Sequence, residues 1–497
     1  MPLCALLFLA LLLGAPRAQA QANYDSALIG GRSSLMGGTG VALGTDSAAP
    51  LQNPGTMVGV EGTSFVFSTF FIQLASRWVN PAQDQLPEVA LKRAEFDQTE
   101  LRVLPNSTCL FFDVRKVPNQ RKGHHKASIC FAEPENQSFE LATSVAGDGL
   151  NGRSGVQQRF VAQVYSKKTY SLGWAATLSD HISIGVSPML EEVNYKDIEG
   201  IATILTNDAS LADAIGAEGQ SLANMITGRA SAFALSAIAG VQWRLTDDFV
   251  LGASLHTPSL HVTGSFTGHR SSEAVSSPVE QYVQEKGSAR FSYPMRIAMG
   301  IAGKIKGVTF EADAYFHTGM GDFAVINVNR QFVTVDDGVI SEAGSEPATY
   351  QEGVRPVFNV GLGAEIPLSD RWAIVTGFLT DFSGLRRRQN GSALDETLFR
   401  SRVDALHGSL GVAWTPRAGN VLLGVRGFYG EGEMAINDPR TIPPLRLAAP
   451  QATWGLSLVL SGQLTLELLA EADPTGLVKR ATTPKPAAKA QKPPAAN

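Results

Sequence analysis

The reactive side chains of this sequence do not form a recognised catalytic motif. Its 497 residues contain no Gly-x-Ser-x-Gly elbow and no His-Glu-x-x-His helix, and serine, histidine and acidic residues show no tight clustering. The adjacent His124 and His125 lack the spacing of metal ligands. We therefore predict no catalytic site, no metal site and no cofactor. Because catalytic triads assemble from distant positions, a lipid-modifying enzyme stays the third of three hypotheses for function.

The cysteines give a more specific prediction. The sequence has three of them, and Cys4 lies in an apolar N-terminal stretch. Cys109 and Cys130 are almost equally far from a turn centred near Gln120. In a symmetric hairpin they would face each other at bridging distance, and an exported protein meets an oxidising compartment. We therefore predict a structural disulfide between them.

The connection at 197–228 carries the candidate surface for capturing a ligand. Apolar residues recur there at spacings of three, four and seven, as on one face of a helix. They are Ile201, Ile204, Leu205, Leu211, Ile215, Leu222, Met225 and Ile226. We predict a short helical external loop whose exposed apolar face binds a hydrophobic molecule. The alternative is that this face packs against neighbouring loops as the core of a lid.

The N-terminus and the composition define the compartment. An apolar core from Leu6 to Leu13, followed by Ala18-Gln19-Ala20, predicts a cleaved signal peptide over residues 1–20. Beyond it, no apolar run reaches the roughly 18 residues of a membrane helix. The chain has 44% hydrophobic residues, 49 glycines and a net charge of −5. This composition excludes a disordered chain and gives no basic surface for nucleic acid.

Apolar residues alternate with small or polar residues along most of the chain. From Ser231 to Leu245 one face is apolar and the other small or polar, and 358–366, 409–414 and 454–461 repeat this period of two. Most such segments exceed the roughly 9–11 residues with which a tilted strand crosses a bilayer. We count fourteen: 63–79, 102–115, 126–136, 157–178, 181–196, 229–246, 248–268, 288–305, 307–320, 350–369, 371–384, 402–418, 419–431 and 452–467.

The connections and the tryptophans fit a membrane barrel better than a soluble sandwich. Very short turns at 178–180, 245–247, 304–307, 368–370 and 416–420 alternate with connections of about twenty to thirty residues. Outer-membrane barrels have short periplasmic turns and long external loops. Trp243, Trp372 and Trp414 lie beside the short turns, and Trp78 and Trp454 lie at the opposite strand ends, as two interfacial girdles require.

Charged residues recur on the face that alternation turns inward. Arg296, Arg355 and Arg426 are the candidates for binding an anionic head group. The alternative is that they pair with Glu311, Asp313 or Glu365 and brace the barrel. Either reading predicts a polar lumen.

The sequence resembles the FadL family of outer-membrane transporters of hydrophobic compounds. The resemblance rests on the Gly-rich stretch 31–46 with Gly37, Gly38 and Gly40, on Asn53-Pro54-Gly55, and on the strand, Asp-bearing turn and strand at 240–255. It implies an all-β, transmembrane antiparallel barrel of about fourteen strands with an N-terminal hatch inside. It also implies uptake of long-chain fatty acids or similar molecules through an extracellular apolar groove, an internal site and a lateral opening at a kinked strand. The sequence leaves open whether the third strand, near Pro134, forms that opening.

The resulting organisation is a signal peptide (1–20), a hatch (21–62), a barrel (63–467) and a Pro/Ala/Lys-rich periplasmic tail (468–497). We predict a location in the cell outer membrane, with membrane lipids, a hydrophobic ligand and the barrel-assembly machinery as partners and no nucleic acid. The basic tail predicts contact with the anionic cell wall, or else an inert linker. The leading function is transport without enzymatic activity, and the alternative is a FadL-like scaffold for secretion or surface assembly.

Overall fold

The computed structural model describes residues 23, 29–79, 94–101, 106–115, 122–150, 153–206, 220–274, 279–385, 401–416, 419–437 and 446–466. The predicted signal peptide and the basic tail lie outside these residues. In the part of the chain that is described, no helix is long and apolar enough to cross a membrane.

Nineteen strand segments form a single closed antiparallel barrel. Their bounds are β1 (Ser64–Val79), β2 (Ala94–Leu101), β3 (Ser107–Arg115), β4 (His125–Leu150), β5 (Arg153–Thr177), β6 (Ile182–Thr206), β7 (Gln220–Arg244), β8 (Phe249–His256), β9 (Leu260–Ala274), β10 (Val279–Ala289), β11 (Arg296–Ile305), β12 (Val308–His317), β13 (Met320–Asp336), β14 (Val339–Val354), β15 (Val357–Pro367), β16 (Trp372–Asp381), β17 (Ser401–Trp414), β18 (Gly419–Asn437) and β19 (Arg446–Thr465).

These segments make fourteen spans, which confirms the strand number that alternation predicted. Five spans consist of two consecutive segments each, namely β2 with β3, β8 with β9, β10 with β11, β12 with β13 and β14 with β15. The barrel closes where β1 pairs with β19, from Ser64 opposite Thr465 to Val79 opposite Gln451.

The outer surface of the barrel is apolar. Phe233, Leu235, Val241 and Trp243 on β7 are exposed, while Ala232 and Ala234 between them are buried. The same alternation exposes the large apolar side chains of β15, β17 and β19. The β1–β19 pairing closes the barrel, and a closed barrel with an apolar exterior is stable only in lipid. The protein is therefore a barrel of the outer-membrane type, which confirms the predicted location.

The short turns repeat one local design. Leu178-Ser179-Asp180, Leu245-Thr246-Asp247 and Leu368-Ser369-Asp370 each connect two strands. In each turn the Ser or Thr hydroxyl accepts hydrogen bonds from the N–H groups two and three residues later, at 3.1–3.3 Å. The hydroxyl oxygen supplies the hydrogen-bond acceptor that the backbone of a tight turn does not provide. This explains why the predicted turn positions were correct.

The helical loop predicted at 197–228 is wrong for the residues described there. Residues 197–206 continue β6 and residues 220–228 continue β7, and the two strands pair from Ile182 opposite Trp243 up to Leu205 opposite Gln220. Ile201, Ile204 and Leu205 are therefore on β6, and Leu222, Met225 and Ile226 are on β7; Leu211 and Ile215 lie outside the described residues. Pairing between the two strands provides the hydrogen bonds for the backbone N–H and C=O groups that a helix would have formed within itself.

Candidate functional site

The N-terminal segment, residues 29–62, lies inside the barrel. It contains helix α1 (Gly31–Leu35), helix α2 (Ala49–Gln52) and a 3₁₀ helix (Pro54–Gly59). Helix α1 packs against β16 to β19, whereas α2 and the 3₁₀ helix pack against β5, β6 and β7 on another part of the wall. Leu35, Met36, Val41 and Met57 are fully buried. Strands from around the barrel thus enclose the segment.

Two carboxylates of the wall hold one stretch of this segment. Asp313 Oδ2 accepts hydrogen bonds from the N–H groups of Gly40 and Val41 at 2.8 and 2.9 Å. Glu311 Oε1 accepts from the N–H groups of Ala42 and Leu43 at 3.0 and 2.8 Å. Four successive backbone donors are thereby satisfied by charged acceptors, and such hydrogen bonds are stronger than neutral ones.

Ionic contacts between the segment and the wall complement these hydrogen bonds. Arg32 Nε donates to Glu365 Oε2 at 2.9 Å, and its Nη1 lies 3.6 Å from Glu311 Oε2. Burial alone would lower the pKa of Arg32. The carboxylates of Glu365 and Glu311 raise it by more than burial lowers it, so the pKa of Arg32 lies above its ordinary value. Burial raises the pKa of the Asp46 carboxyl, although hydrogen bonds from the N–H groups of Ser33 and Ala48 lower it.

The predicted hatch residues make specific contacts in this packing. Gly37, Gly38 and Gly40 have positive φ values of 68°, 78° and 152°. A Cβ on Gly37 would lie 2.3 Å from the carbonyl oxygen of Phe378, so only glycine fits there. Asn53 Nδ2 donates to the carbonyl of Val241 on the wall, and its Oδ1 accepts from Gly55 N. Pro54 begins the 3₁₀ helix.

Glycines of the wall allow this close approach. A Cβ on Gly252 would lie 1.9 Å from the carbonyl oxygen of Val41, and one on Gly240 would lie 1.9 Å from Asn53 Oδ1. Both distances are shorter than any van der Waals contact. The high glycine content of the sequence therefore has a steric reason at these strand positions.

Cys109 and Cys130 form the predicted disulfide. They are directly opposite each other in the β3–β4 ladder, with Cα atoms 4.2 Å apart. Both are buried, and they belong to an apolar cluster that includes Met57 and Val60 of the N-terminal segment. The bond therefore lies where the segment contacts the wall.

The three candidate arginines lie in separate environments. Arg296 Nη2 donates to the carbonyl of Leu51 at 3.0 Å. Arg355 donates to the carbonyl of Ser383 and to Asp404. Arg426 is buried with its Nη2 2.7 Å from His407 Nδ1. Glu311 and Glu365, suggested as their bracing partners, bind Arg32 instead.

A cavity of about 90 Å³ lies between the N-terminal segment and the wall. Its polar lining includes Glu135, Lys167, Glu191, His256, Arg296 and His317, and its apolar lining includes Ile29, Leu51, Pro134 and Met189. Lys167 Nζ lies 3.1 Å from Glu191 Oε1 and 4.0 Å from Glu135 Oε1. Of these polar residues, only Arg296 was predicted from the sequence to bind a ligand. Charges at inward-facing positions in the middle of long strands were the available signal for Lys167 and Glu191.

Two solved structures of known barrels have a similar fold. A FadL homologue of Pseudomonas aeruginosa has a TM-score of 0.52 at 10% identity, over 90% of this chain and 100% of that one. The toluene transporter TodX of Pseudomonas putida has a TM-score of 0.55 at 13% identity, over 89% and 99%. No family model and no curated protein sequence matches the chain. The similarity covers 89–90% of this chain, which therefore has the fold of the FadL-type outer-membrane transporters.

Proposed function

We propose that the barrel carries small hydrophobic molecules across the outer membrane and that the cavity is a binding site on their route. The observation that carries the proposal is the position of the cavity beside an irregularity in the barrel wall. Pro134 lines the cavity and lies within a bulge of β4, where the β4–β5 register shifts between Ala132 and Glu135. A β-bulge re-aims a strand, and a proline has no N–H with which to continue a ladder.

The hydrogen-bonded ladder is also incomplete at the opposite edge of β4, which faces β3. The β3–β4 ladder runs from Arg115 opposite His125 to Ser107 opposite Ala132, and Glu133 N then donates to the carbonyl of Asn106. Among the described residues, the part of β4 from Glu135 to Leu150 pairs with β5 alone. At its unpaired edge, such a strand can move away from the adjacent part of the wall without breaking ladder hydrogen bonds.

A sideways route suits an apolar substrate. The N-terminal segment fills the lumen beside the cavity, so a straight path through the barrel requires the segment to move. A path past Pro134 leads from the cavity to the lipid, which is the preferred solvent of an apolar molecule. The descriptions of the FadL homologue and of the toluene transporter support transport of hydrophobic compounds, and long-chain fatty acids are one candidate substrate.

Deletion of Pro134 tests this proposal. Removing one residue lets β4 pair with β5 without the register shift, and we expect it to close the route. Uptake of a radiolabelled fatty acid and of an alkylbenzene is measured in a deletion strain carrying either the wild-type chain or the variant. We expect uptake of the transported compound to fall at least tenfold. Pro347→Ala is the control, because Pro347 lies in the β13–β14 hairpin and does not line the cavity.

Heat-modifiable migration on a denaturing gel reports whether each variant still forms the barrel. If the folded variant transports both compounds at the wild-type rate, the lateral route is wrong. If deletion of the whole gene leaves uptake unchanged but removes a protein from the cell surface, the scaffold hypothesis replaces transport.

A further inference from the structure

The charges around the cavity balance. Lys167 forms ion pairs with Glu191 and Glu135, and Arg296 is a second cation in the lining. The rest of the polar lining consists of His256, His317, Gln52, Thr169 and Tyr293. Two cations and two carboxylates leave no net charge to attract an anion. A ligand carboxylate placed here would also be repelled by Glu191 and Glu135.

Arg296 has a hydrogen-bond donor that no acceptor among the described residues satisfies. Its Nη2 donates to the carbonyl of Leu51, and its guanidinium carbon lies 5.8 Å from the centre of the Tyr315 ring. Its Nε is buried and has no hydrogen-bond partner within the part of the chain that the structure describes. A buried donor left unsatisfied destabilises the protein, so a ligand acceptor at this position would be bound favourably.

Glu191 provides acceptor capacity in the same lining. Its Oε2 accepts from Ser259 Oγ at 2.6 Å, while its Oε1 lies 3.1 Å from Lys167 Nζ and 4.0 Å from His256 Nε2. A carboxylate oxygen has two lone-pair sites, so Oε1 can accept a further hydrogen bond. Glu191 is fully buried, which fixes the position of this acceptor.

We propose that the cavity binds the hydroxyl group of a neutral hydrophobic molecule, a phenol or an alcohol, rather than a carboxylate. A hydroxyl oxygen accepts from Arg296 Nε while its proton is donated to Glu191 Oε1. A carboxylate can only accept, and a hydrocarbon can do neither. The inference rests on the proposed function, because it names the class of molecule that the transport site selects.

The size of the cavity agrees with a head-group site. Its volume of about 90 Å³ is below the roughly 150 Å³ of an engineered apolar cavity that binds benzene. The polar head and the adjoining carbon atoms therefore fill it. Ile29, Leu51 and Met189 supply apolar contacts, and Pro134 lies where the remaining hydrocarbon would pass toward the wall.

Equilibrium binding to the purified full-length protein in detergent tests the inference. The probes are a para-alkylphenol, the alkylbenzene and the para-alkylbenzoate of equal chain length, at about pH 7.5, where benzoate is ionised. We expect the phenol to bind at least tenfold more tightly than the other two probes. Glu191→Gln removes one negative charge, so benzoate should bind about tenfold more tightly and the phenol more weakly. Arg296→Met should weaken binding of the phenol to the level of the alkylbenzene.

Glu285→Gln is the matched control, since Glu285 is a buried carboxylate that binds Arg330 and Tyr350 instead of lining the cavity. It should leave the binding of all three probes unchanged. Comparing each variant with this control removes the contribution of probe partitioning into detergent micelles. Benzoate binding to the wild type as tightly as the phenol would overturn the inference, and so would equal effects of Glu191→Gln on all probes. If no probe binds but uptake still depends on Pro134, the inference fails while the proposed function stands.

Discussion

The carboxylates of Glu311 and Asp313 should keep the N-terminal segment in the lumen. We consider the double variant Glu311→Gln, Asp313→Asn, which keeps the shape of both side chains and removes their charges. The four N–H groups of residues 40–43 then meet neutral acceptors in place of charged ones. The segment keeps its apolar contacts through Leu35 and Met36, so the barrel itself should still fold.

The expected size of the effect follows from these four hydrogen bonds. Hydrogen bonds to charged groups contribute about 1.5–3 kcal/mol each, compared with about 0.5–1.5 for neutral ones. A loss of about 1 kcal/mol per bond gives about 4 kcal/mol in total. Because each 1.4 kcal/mol is a factor of ten, the population of barrels with a displaced segment should rise by up to about 1,000-fold.

Single-channel conductance in planar bilayers measures this population as the fraction of time spent open. Cleavage of the segment by protease in proteoliposomes gives a second readout. Glu285→Gln is again the control, because its carboxylate interacts with Arg330 on β13 and Tyr350 on β14 rather than with residues 40–43. If the double variant stays as closed and as protease-resistant as this control, the carboxylates do not hold the segment and the reasoning is wrong.

Three further predictions concern the packing, the disulfide and the lipid face. Gly252→Val places a side chain against the carbonyl of Val41, so it should displace the segment and raise conductance. Gly408→Ala is the control and should change neither, because a Cβ on Gly408 meets no described atom within 4 Å. Cys109→Ser with Cys130→Ser opens a loop of sequence separation 21 and should lower the unfolding free energy by about 3 kcal/mol, measured by urea titration in lipid; unchanged stability would contradict this. Ile301→Arg, at an outward position with 51% exposure on β11, should cost about 2–4 kcal/mol in the same titration. Glu342→Arg, at an exposed position of the β13–β14 hairpin, should cost nothing measurable.

The sequence was informative wherever a local pattern had one structural solution. The period of two over 231–245 could be read as strand because both faces were uniform, and the Ser or Thr of each short turn supplied its own hydrogen-bond acceptor. At 197–228 the spacing of Ile201, Leu205 and Met225 suited a helix, but two neighbouring strands paired across it. A short apolar run does not distinguish the two, because the choice depends on a partner elsewhere in the chain.

The sequence by itself therefore determined the barrel, its number of spans, its short turns and its disulfide, because each depends on residues that are neighbours along the chain or across one hairpin. Tertiary structure alone decided the interior. Glu311 and Asp313 meet residues 40–43 across a separation of more than 250 residues, and Lys167, Glu191 and Arg296 converge from β5, β6 and β11. A closed barrel brings such residues together through its curvature and strand stagger, which no local spacing encodes.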